Sequence, residues 1–252
     1  MINVLISGIN DGTGKKVYEL ITKTEGFNLV CGVDEEIGGD FNCPVYKNFD
    51  EVKEMVDVVI DFSKPERLPF VLEFVKENGC ALAEGTTGYT KAQLQQIKKL
   101  SESLPVFISH NLSLGTSMLF RLARIAAAEL KNFDIEIIEY RDREKQNAPG
   151  ATSLSLARDI FETLKGGDER KIVSGRNGKR KPGEISLHSV RGGNLAGANE
   201  ILFIGEDELI QIKHESFDNL IFARGAIKAA RFIVEKTAGF YTMKDFSAAE
   251  VL

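Results

Sequence analysis

The sequence predicts an α/β protein built from two domains of different design, on three observations. In the first third, short apolar runs alternate with amphipathic stretches. The first of those runs opens onto a turn rich in glycine, residues 8–14. Beyond Ser113 the alternation stops, and strand-like runs follow one another with no helix between them. Strands that alternate with helices form βαβ units and a parallel sheet, whereas consecutive strands form an antiparallel or mixed one.

Residues 2–6, 29–33, 56–61, 81–83 and 106–108 are expected strands, each apolar or β-branched and closed by turn or polar residues. Residues 15–23, 65–77 and 90–103 are the helices between them. The last opens with Thr90 and Gln93, spaced so that each side chain satisfies the other's backbone N–H. After Ser113, Met118, Leu119, Leu122, Ile125, Ala126 and Leu130 recur on one helical face, ahead of a strand at 135–140. A second helix, 152–165, leads into the polar stretch 166–183; residues 165–181 are rich in Gly, Lys and Arg and are expected to be a solvated loop. Strands at 184–190, 199–204 and 209–214 then precede a closing helix, 219–236. The expected domains are residues 1–112 with 219–252, and 113–218. Three strands with so few helices form an open mixed sheet. Its apolar face needs a cover, and a second subunit is the economical one.

Composition excludes several roles. With 32 basic and 37 acidic residues the formal charge is −5, which offers no global attraction to nucleic acid or anionic lipid. No apolar run approaches the ~20 residues that span a bilayer, so no membrane partner is expected. The start, Met1-Ile2-Asn3-Val4-Leu5, lacks the basic leader of a signal peptide. Cys31, Cys43 and Cys80 have no metal-type spacing and are expected to be reduced thiols in the cytoplasm. His110, His188 and His214 are too scattered for a local zinc motif, so no metal is expected.

The chemistry starts at the first strand's end, where Gly8-Ile9-Asn10-Asp11-Gly12-Thr13-Gly14 runs into a helix. A Rossmann-like domain seats pyrophosphate there: glycines admit backbone N–H groups close to the phosphates, and the helix adds the positive end of its dipole. Asp34 ends the second strand, 20 residues beyond Gly14, where a carboxylate takes the adenosine ribose hydroxyls. Asn10 and Thr13 break a strict G-x-G-x-x-G, which leaves a plain glycine-rich turn as the competing reading. Glu35 follows Asp34, so a 2′-phosphate would meet two carboxylates. NADH is therefore the expected cofactor, with NADPH still possible.

Six further stretches, taken together and in order, resemble the dihydrodipicolinate reductase family, also described as 4-hydroxy-tetrahydrodipicolinate reductases. They are Val59-Ile60-Asp61-Phe62-Ser63, Gly85-Thr86-Thr87-Gly88, Asn111-Leu112-Ser113-Leu114-Gly115, Ile137-Ile138-Glu139 with Lys145 and Ala148-Pro149, His188-Ser189-Val190-Arg191-Gly192-Gly193, and Phe222-Ala223-Arg224-Gly225-Ala226. They keep the family's spacing through to Gly239-Phe240-Tyr241-Thr242-Met243. The resemblance implies a reductase of lysine and diaminopimelate biosynthesis, in which nicotinamide delivers hydride to a cyclic hydroxylated imine dicarboxylate as water is lost. It also implies a homotetramer. Asp61, Phe62 and Ser63 with Gly85, Thr86 and Thr87 would hold the nicotinamide side. Ser109, His110, Asn111 and Leu112 would meet its carboxamide. Lys145 stands at the family's catalytic lysine, where an ammonium binds a carboxylate and supplies a proton, the more readily if buried. The stretch from His188 to Gly193 is expected to be a sheet and interface element.

Three departures fall on the site. The family carries glycine at Asp11, and a basic residue and methionine at Gly12 and Thr13. It has a histidine pair at Arg141 and Asp142; a guanidinium can clamp a carboxylate but is a poor general acid. Asp142 lies at a substrate-binding position and would repel an anion unless paired with Arg141 or Arg143. The family's substrate-binding Ser-Gly-Thr is here Gly150-Ala151-Thr152, which keeps one hydroxyl and the donors of a helix start. Two other readings stay open: a lapsed relative that binds a dinucleotide or small anion as a sensor or partner protein, and a reductase of another imine or keto acid.

Overall fold

The computed structural model describes residues 1–164 and 171–249. The chain divides into two compact units, Met1–Leu114 with Leu220–Leu252, and Gly115–Asn219.

The first unit carries strands β1 (Ile2–Ser7), β2 (Phe27–Val33), β3 (Val45–Tyr46), β4 (Val58–Asp61), β5 (Ala81–Glu84), β6 (Pro105–Ile108) and β12 (Gly239–Tyr241). They form one parallel sheet in the order β12-β6-β5-β4-β1-β2-β3. Successive side chains of β1 point to opposite faces. Val4 and Ile6 join a core with Val17 and Ile21 of α1 (Gly12–Ile21) and with Ala223, Ala226, Ala230 and Ile233 of α6 (Leu220–Val234). Leu5 joins the other core, with Val71 and Val75 of α2 (Leu68–Asn78) and Ile97 of α3 (Lys91–Leu100). The result is a three-layer sandwich. The start of α3 carries the reciprocal cap expected of Thr90 and Gln93: Gln93 N donates to Thr90 Oγ1 at 3.3 Å, and Thr90 N donates to Gln93 Oε1 at 2.9 Å. Strands β3 and β12 were not foreseen; at two and three residues they are too short to show an alternation.

The second unit carries β7 (Asp134–Arg141), β8 (Lys171–Ser174), β9 (Glu184–Arg191), β10 (Gly197–Ile204) and β11 (Leu209–Ser216), in the order β11-β10-β7-β9-β8. This sheet is mixed: β7, β8 and β9 are parallel, and β10 and β11 antiparallel. One face is covered by α4 (Leu114–Glu129) and α5 (Ala151–Thr163), which bury Leu119, Ala123, Ala127, Leu156 and Ile160 against Ile135, Ile137, Ile185, Leu187 and Phe203. The buried stripe of α4 differs from the expected one. Small residues at 123 and 127 lie on the sheet, while Met118, Leu122 and Ile125 stay exposed. Side-chain size misled the reading, because alanine lets a helix approach a sheet closely.

Two further expectations are corrected here. The sheet's other face is not simply apolar: Glu136, His188 and Glu200 alternate with Ile138, Val190 and Leu202 across it. His188 Nε2 lies 2.6 Å from Glu136, and Tyr140 donates to Glu200 at 2.8 Å. Nor is the polar stretch only a solvated loop. It contains β8, Arg176 reaches Glu136 and Ser186, and Arg180 pairs with Asp134 at 2.8 Å. The stretch's first residues, 165–170, and with them the end of the expected helix 152–165, lie outside the described residues.

Candidate active site

Strand order reverses beside β1, with β2 and β3 to one side and β4, β5, β6 and β12 to the other. Open parallel sheets bind ligands in the crevice past the carboxyl ends of the strands at such a reversal. There Ser7 and Asp61 end β1 and β4 in register. Gly8 follows at φ +77°, and a Cβ on it would come within 2.7 Å of the Phe62 backbone; one on Gly14 would come within 1.9 Å of the Gly8 carbonyl oxygen. Both positions admit only glycine, so the turn is packed against the strand end and against its own helix. Gly12 opens α1 and is exposed, and Asp11 is the N-cap, but its side chain makes no capping bond. It lines the crevice instead.

Two cavities share Asp11, Phe62, Ser63 and Lys64 as walls. The first, about 250 Å³, is completed by Gly8, Asn10, Asp34, Glu35, Glu36 and Arg67. Asp34 braces it: its carboxylate accepts the Asn10 N–H at 2.9 Å and the Glu36 N–H at 3.1 Å, which leaves further lone pairs for a ligand. Glu35 pairs with Lys64 at 3.0 Å, and that ammonium holds the exposed carboxyl below its usual range. The Arg67 guanidinium stands over the rings of Phe49 and Phe70. Lys64 and Arg67 escaped the sequence reading because they sit some thirty positions beyond Glu35, on the connection from β4 to α2.

The second cavity, about 310 Å³, is lined by Thr13, Phe62, Ser63, Gly85, Thr86, Thr87, Ser109, His110 and Leu112, with Phe222 of α6. The hydroxyl of Ser63 is buried in its wall without a hydrogen-bond partner among the described residues. Two residues expected at the cofactor are engaged by their own loops. Asp61 is fully buried; it accepts from Ser63 N at 3.0 Å and from the Thr86 hydroxyl at 3.2 Å, so it supports the wall from behind. Asn111 shapes its own turn, accepting the Ser113 N–H at 2.9 Å and donating its N–H to Ser109 Oγ at 3.1 Å.

In the second unit two of the sequence-predicted residues, Gly150 and Arg141, lie near a buried carboxylate, that of Glu139. Glu139 lies beside Ser189 on one side and Asn199 on the other, and His214 pairs with Asn199 beyond. Its side chain is fully buried and accepts from Gly150 N at 2.9 Å, Ser153 Oγ at 2.6 Å, Ser189 Oγ at 2.8 Å and Arg191 Nη2 at 2.6 Å. Burial alone would raise its pKa, but these donors outweigh it and hold the carboxyl below its usual range. The start of α5 is thereby fastened to β7. Gly150 is the N-cap with no side chain, Ala151 is exposed and Thr152 half-buried.

Arg141 lies beside Arg191 across β7 and β9, with room made by Gly197, where a Cβ would strike the guanidinium. It donates to the Tyr140 carbonyl at 3.2 Å and has no ion-pair partner among the described residues. Burial pulls its pKa down; Glu139 opposes that, and Arg191 adds to it. Burial and Arg141 likewise depress the pKa of His214. Asp142 is engaged in the turn after β7, accepting the Glu144 N–H at 2.9 Å, and pairs with neither Arg141 nor Arg143 among the described residues. Lys145 is exposed on the same loop rather than buried. Arg191 and His214 went unassigned by the sequence reading. Their period-two spacing from Ser189 and Ile212 was the available signal, since it puts them on the site's face of the sheet.

Models of the dihydrodipicolinate reductase N-terminus and C-terminus match residues 2–112 and 115–246. A 4-hydroxy-tetrahydrodipicolinate reductase of Alkaliphilus oremlandii is 40% identical over 247 residues, and one of Clostridium novyi 36% over 248; each match covers 97% of this chain and 98% of the relative. Among solved structures, a dipicolinate-bound dihydrodipicolinate reductase from Paenisporosarcina sp. TG-14 is similar at TM-score 0.82 and 25% identity, covering 96% of this chain and 97% of that one. A DAP dehydrogenase of C. glutamicum, at TM-score 0.57 and 15% identity, covering 96% and 92%, shares the fold.

Proposed function

Because the chain belongs to the dihydrodipicolinate reductase family, we propose that it reduces 4-hydroxy-tetrahydrodipicolinate to tetrahydrodipicolinate with a reduced pyridine nucleotide, in lysine and diaminopimelate biosynthesis. The observation that carries the substrate class is Arg141, a half-buried guanidinium with no ion-pair partner among the described residues, on the strand whose Glu139 holds the start of α5. A desolvated cation of this kind is stabilised by an incoming carboxylate. Arg141 and the first-turn donors at Ala151 and Thr152 then hold the two carboxylates of a small dicarboxylate, and Lys145 delivers the proton. The family's dipicolinate-bound member supports this reading.

The first unit fits a nicotinamide dinucleotide. The glycine turn admits phosphates, Asp34 retains lone pairs for ribose hydroxyls, and the unmatched Ser63 hydroxyl waits in the second cavity. Bound there, the reduced nicotinamide supplies hydride. The N–H groups of Gly12, Thr13 and Gly14 at the start of α1 would hold the pyrophosphate; Gly8 and Asn10, whose own N–H groups go to Val33 and Asp34, shape the turn, and Gly85, Thr86, Thr87, Ser109 and His110 would wall the nicotinamide end. The test is NADH oxidation followed with freshly generated substrate. Turnover is expected. Clean dinucleotide binding without turnover would favour a sensor or partner protein, and turnover only with unrelated imines would reassign the substrate.

For cofactor choice, Asp34 and Glu35 disfavour a 2′-phosphate by like charge, while Lys64 offsets part of that penalty. NADH is therefore expected to bind more tightly than NADPH, and Lys64→Ala to widen the gap. Asp11→Gly should strengthen NADH binding, since removing a like charge near a phosphate is worth on the order of 1 kcal/mol, about fivefold. Calorimetric titration of the three proteins checks all of this. Equal or tighter NADPH binding by the wild type, or weaker NADH binding by the Asp11 variant, would contradict it. The family resemblance supports assembly of copies into a tetramer, and the free cysteines support a cytoplasmic setting.

A further inference from the structure

Behind the second cavity two acids face each other. β4 and β5 end on Asp61 and Glu84, paired in register, and both side chains are fully buried. Asp61 has donors on both oxygens, from the Ser63 N–H at 3.0 Å and the Thr86 hydroxyl at 3.2 Å. Glu84 has one. Its Oε1 accepts the Thr86 N–H at 2.8 Å, while Oε2 is buried with no partner among the described residues. The groups that face Glu84 are Asp61 from β4 and, from the loop after β5, Thr86 and Tyr89; none is a cation. The Tyr89 hydroxyl is one donor toward it, but with no cation among the facing groups, full burial and the Asp61 charge disfavour a second carboxylate, so the proton belongs on Glu84.

We propose that Glu84 is a positioning residue for the nicotinamide half of the dinucleotide site. As a neutral acid it accepts from Thr86 through Oε1 and donates from Oε2 toward Asp61, which fixes the Ser63 and Thr86 walls in their binding shape. The proposal rests on the reading of this crevice as the cofactor site. Burial and the Asp61 charge hold the Glu84 carboxyl well above the usual carboxylate range. Tyr89 cannot substitute as the titrating group, because burial and the same two acids push its phenol upward as well. A raised folded-state pKa means that the support is complete at low pH and is lost as pH rises through that pKa. Ionised, Glu84 would place a second negative charge against Asp61, and the loop between Gly85 and Gly88 would have to move.

The test is NADH binding, read by the fluorescence of the bound nucleotide without substrate, from neutral to alkaline pH, with KM and kcat in parallel. Glu84→Gln keeps the carbonyl for Thr86 and an amide donor for Asp61 but cannot ionise. It should bind NADH within about twofold of wild type at neutral pH, because both hydrogen bonds survive. It should also hold that affinity at alkaline pH, where the wild type weakens. Glu84→Ala should weaken NADH binding about tenfold at neutral pH, seen in KM more than in kcat. A Gln variant as weak as the Ala variant, or one that keeps the alkaline decline, overturns the proposal. So does a wild type that binds NADH with no alkaline decline. A wild type that binds no NADH at any pH overturns the cofactor-site reading itself. Should the Ala variant fail to fold, the Gln variant alone decides.

Discussion

Lys145→Ala is expected to lower kcat by about 10²- to 10⁴-fold, the range a positioned proton donor supplies, while NADH binding in the first unit holds. The reduction needs a proton near the reduced carbon. Arg141 cannot give one, because its guanidinium stays protonated at neutral pH. Asp142 is engaged by the Glu144 N–H in the turn after β7. Of the loop residues carried over from the family, that leaves Lys145, an exposed amine four positions beyond Arg141. Arg141→Ala should behave differently. Losing a carboxylate clamp made in both ground and transition states raises KM, by roughly 10-fold or more, with kcat little changed. Placing histidines at 141 and 142 should raise kcat, since an imidazole titrates near neutral pH. Steady-state kinetics of the three variants check this. Near-normal kcat in Lys145→Ala would remove it from the chemistry. A wild type that is silent until the histidine pair is installed would be a lapsed reductase that still folds around its cofactor.

The largest loss of stability should come from Glu139→Ala, about 3–5 kcal/mol, the cost of breaking a buried ion pair from one side. The substitution leaves Arg191 without its carboxylate and the Gly150 N–H without an acceptor at the start of α5. Changing Glu139 and Arg191 together to apolar residues of similar volume should recover much of that loss. The wild type should also carry a pH signature. Donors from Ser153, Arg191, Ser189 and Gly150 depress the folded-state pKa of Glu139. Its contribution is therefore present above the ordinary carboxylate range and lost as pH falls through the depressed value. Urea titrations at neutral and acid pH should show the difference between wild type and Glu139→Ala narrowing on the acid side. A constant difference would mean that Glu139 is held by packing rather than by charge.

The parallel half of the fold was legible because alternation and turn chemistry are local. Residues 2–6 and Gly8 to Gly14 announce a strand, a tight turn and a helix with no knowledge of what packs on them. Part of the α4 stripe was misjudged because the sequence shows which residues are large, not how close the sheet comes: Leu119 is buried as expected, but beside it lie Ala123 and Ala127 rather than Leu122 and Ile125. In the site, acids and glycines stood out by position along the chain. Lys64 and Arg67 become part of the crevice only when β4 is laid beside β1, a long-range pairing that no window of sequence contains. Arg191 was quoted within a motif but had no partner until β9 was set against β7 and brought it to Glu139.

The first unit's division between the two ends of the chain bears on how the protein emerges from the ribosome. Residues up to Leu114 can pair β1 with β2 and β4 as soon as they are made, but Ala223, Ala226, Ala230 and Ile233, which cover Val4, Ile6 and Ile60, come more than a hundred residues later. Until then α1 covers that face of the nascent sheet over β1 and β2, while the part over β4, β5 and β6 stays apolar and bare, the kind of surface that makes partly made chains stick to one another. The second unit, continuous from Gly115 to Asn219, has no such wait. Order of synthesis therefore runs against order of completion: the domain begun first is the last to close, and it closes on α6 and the edge strand β12.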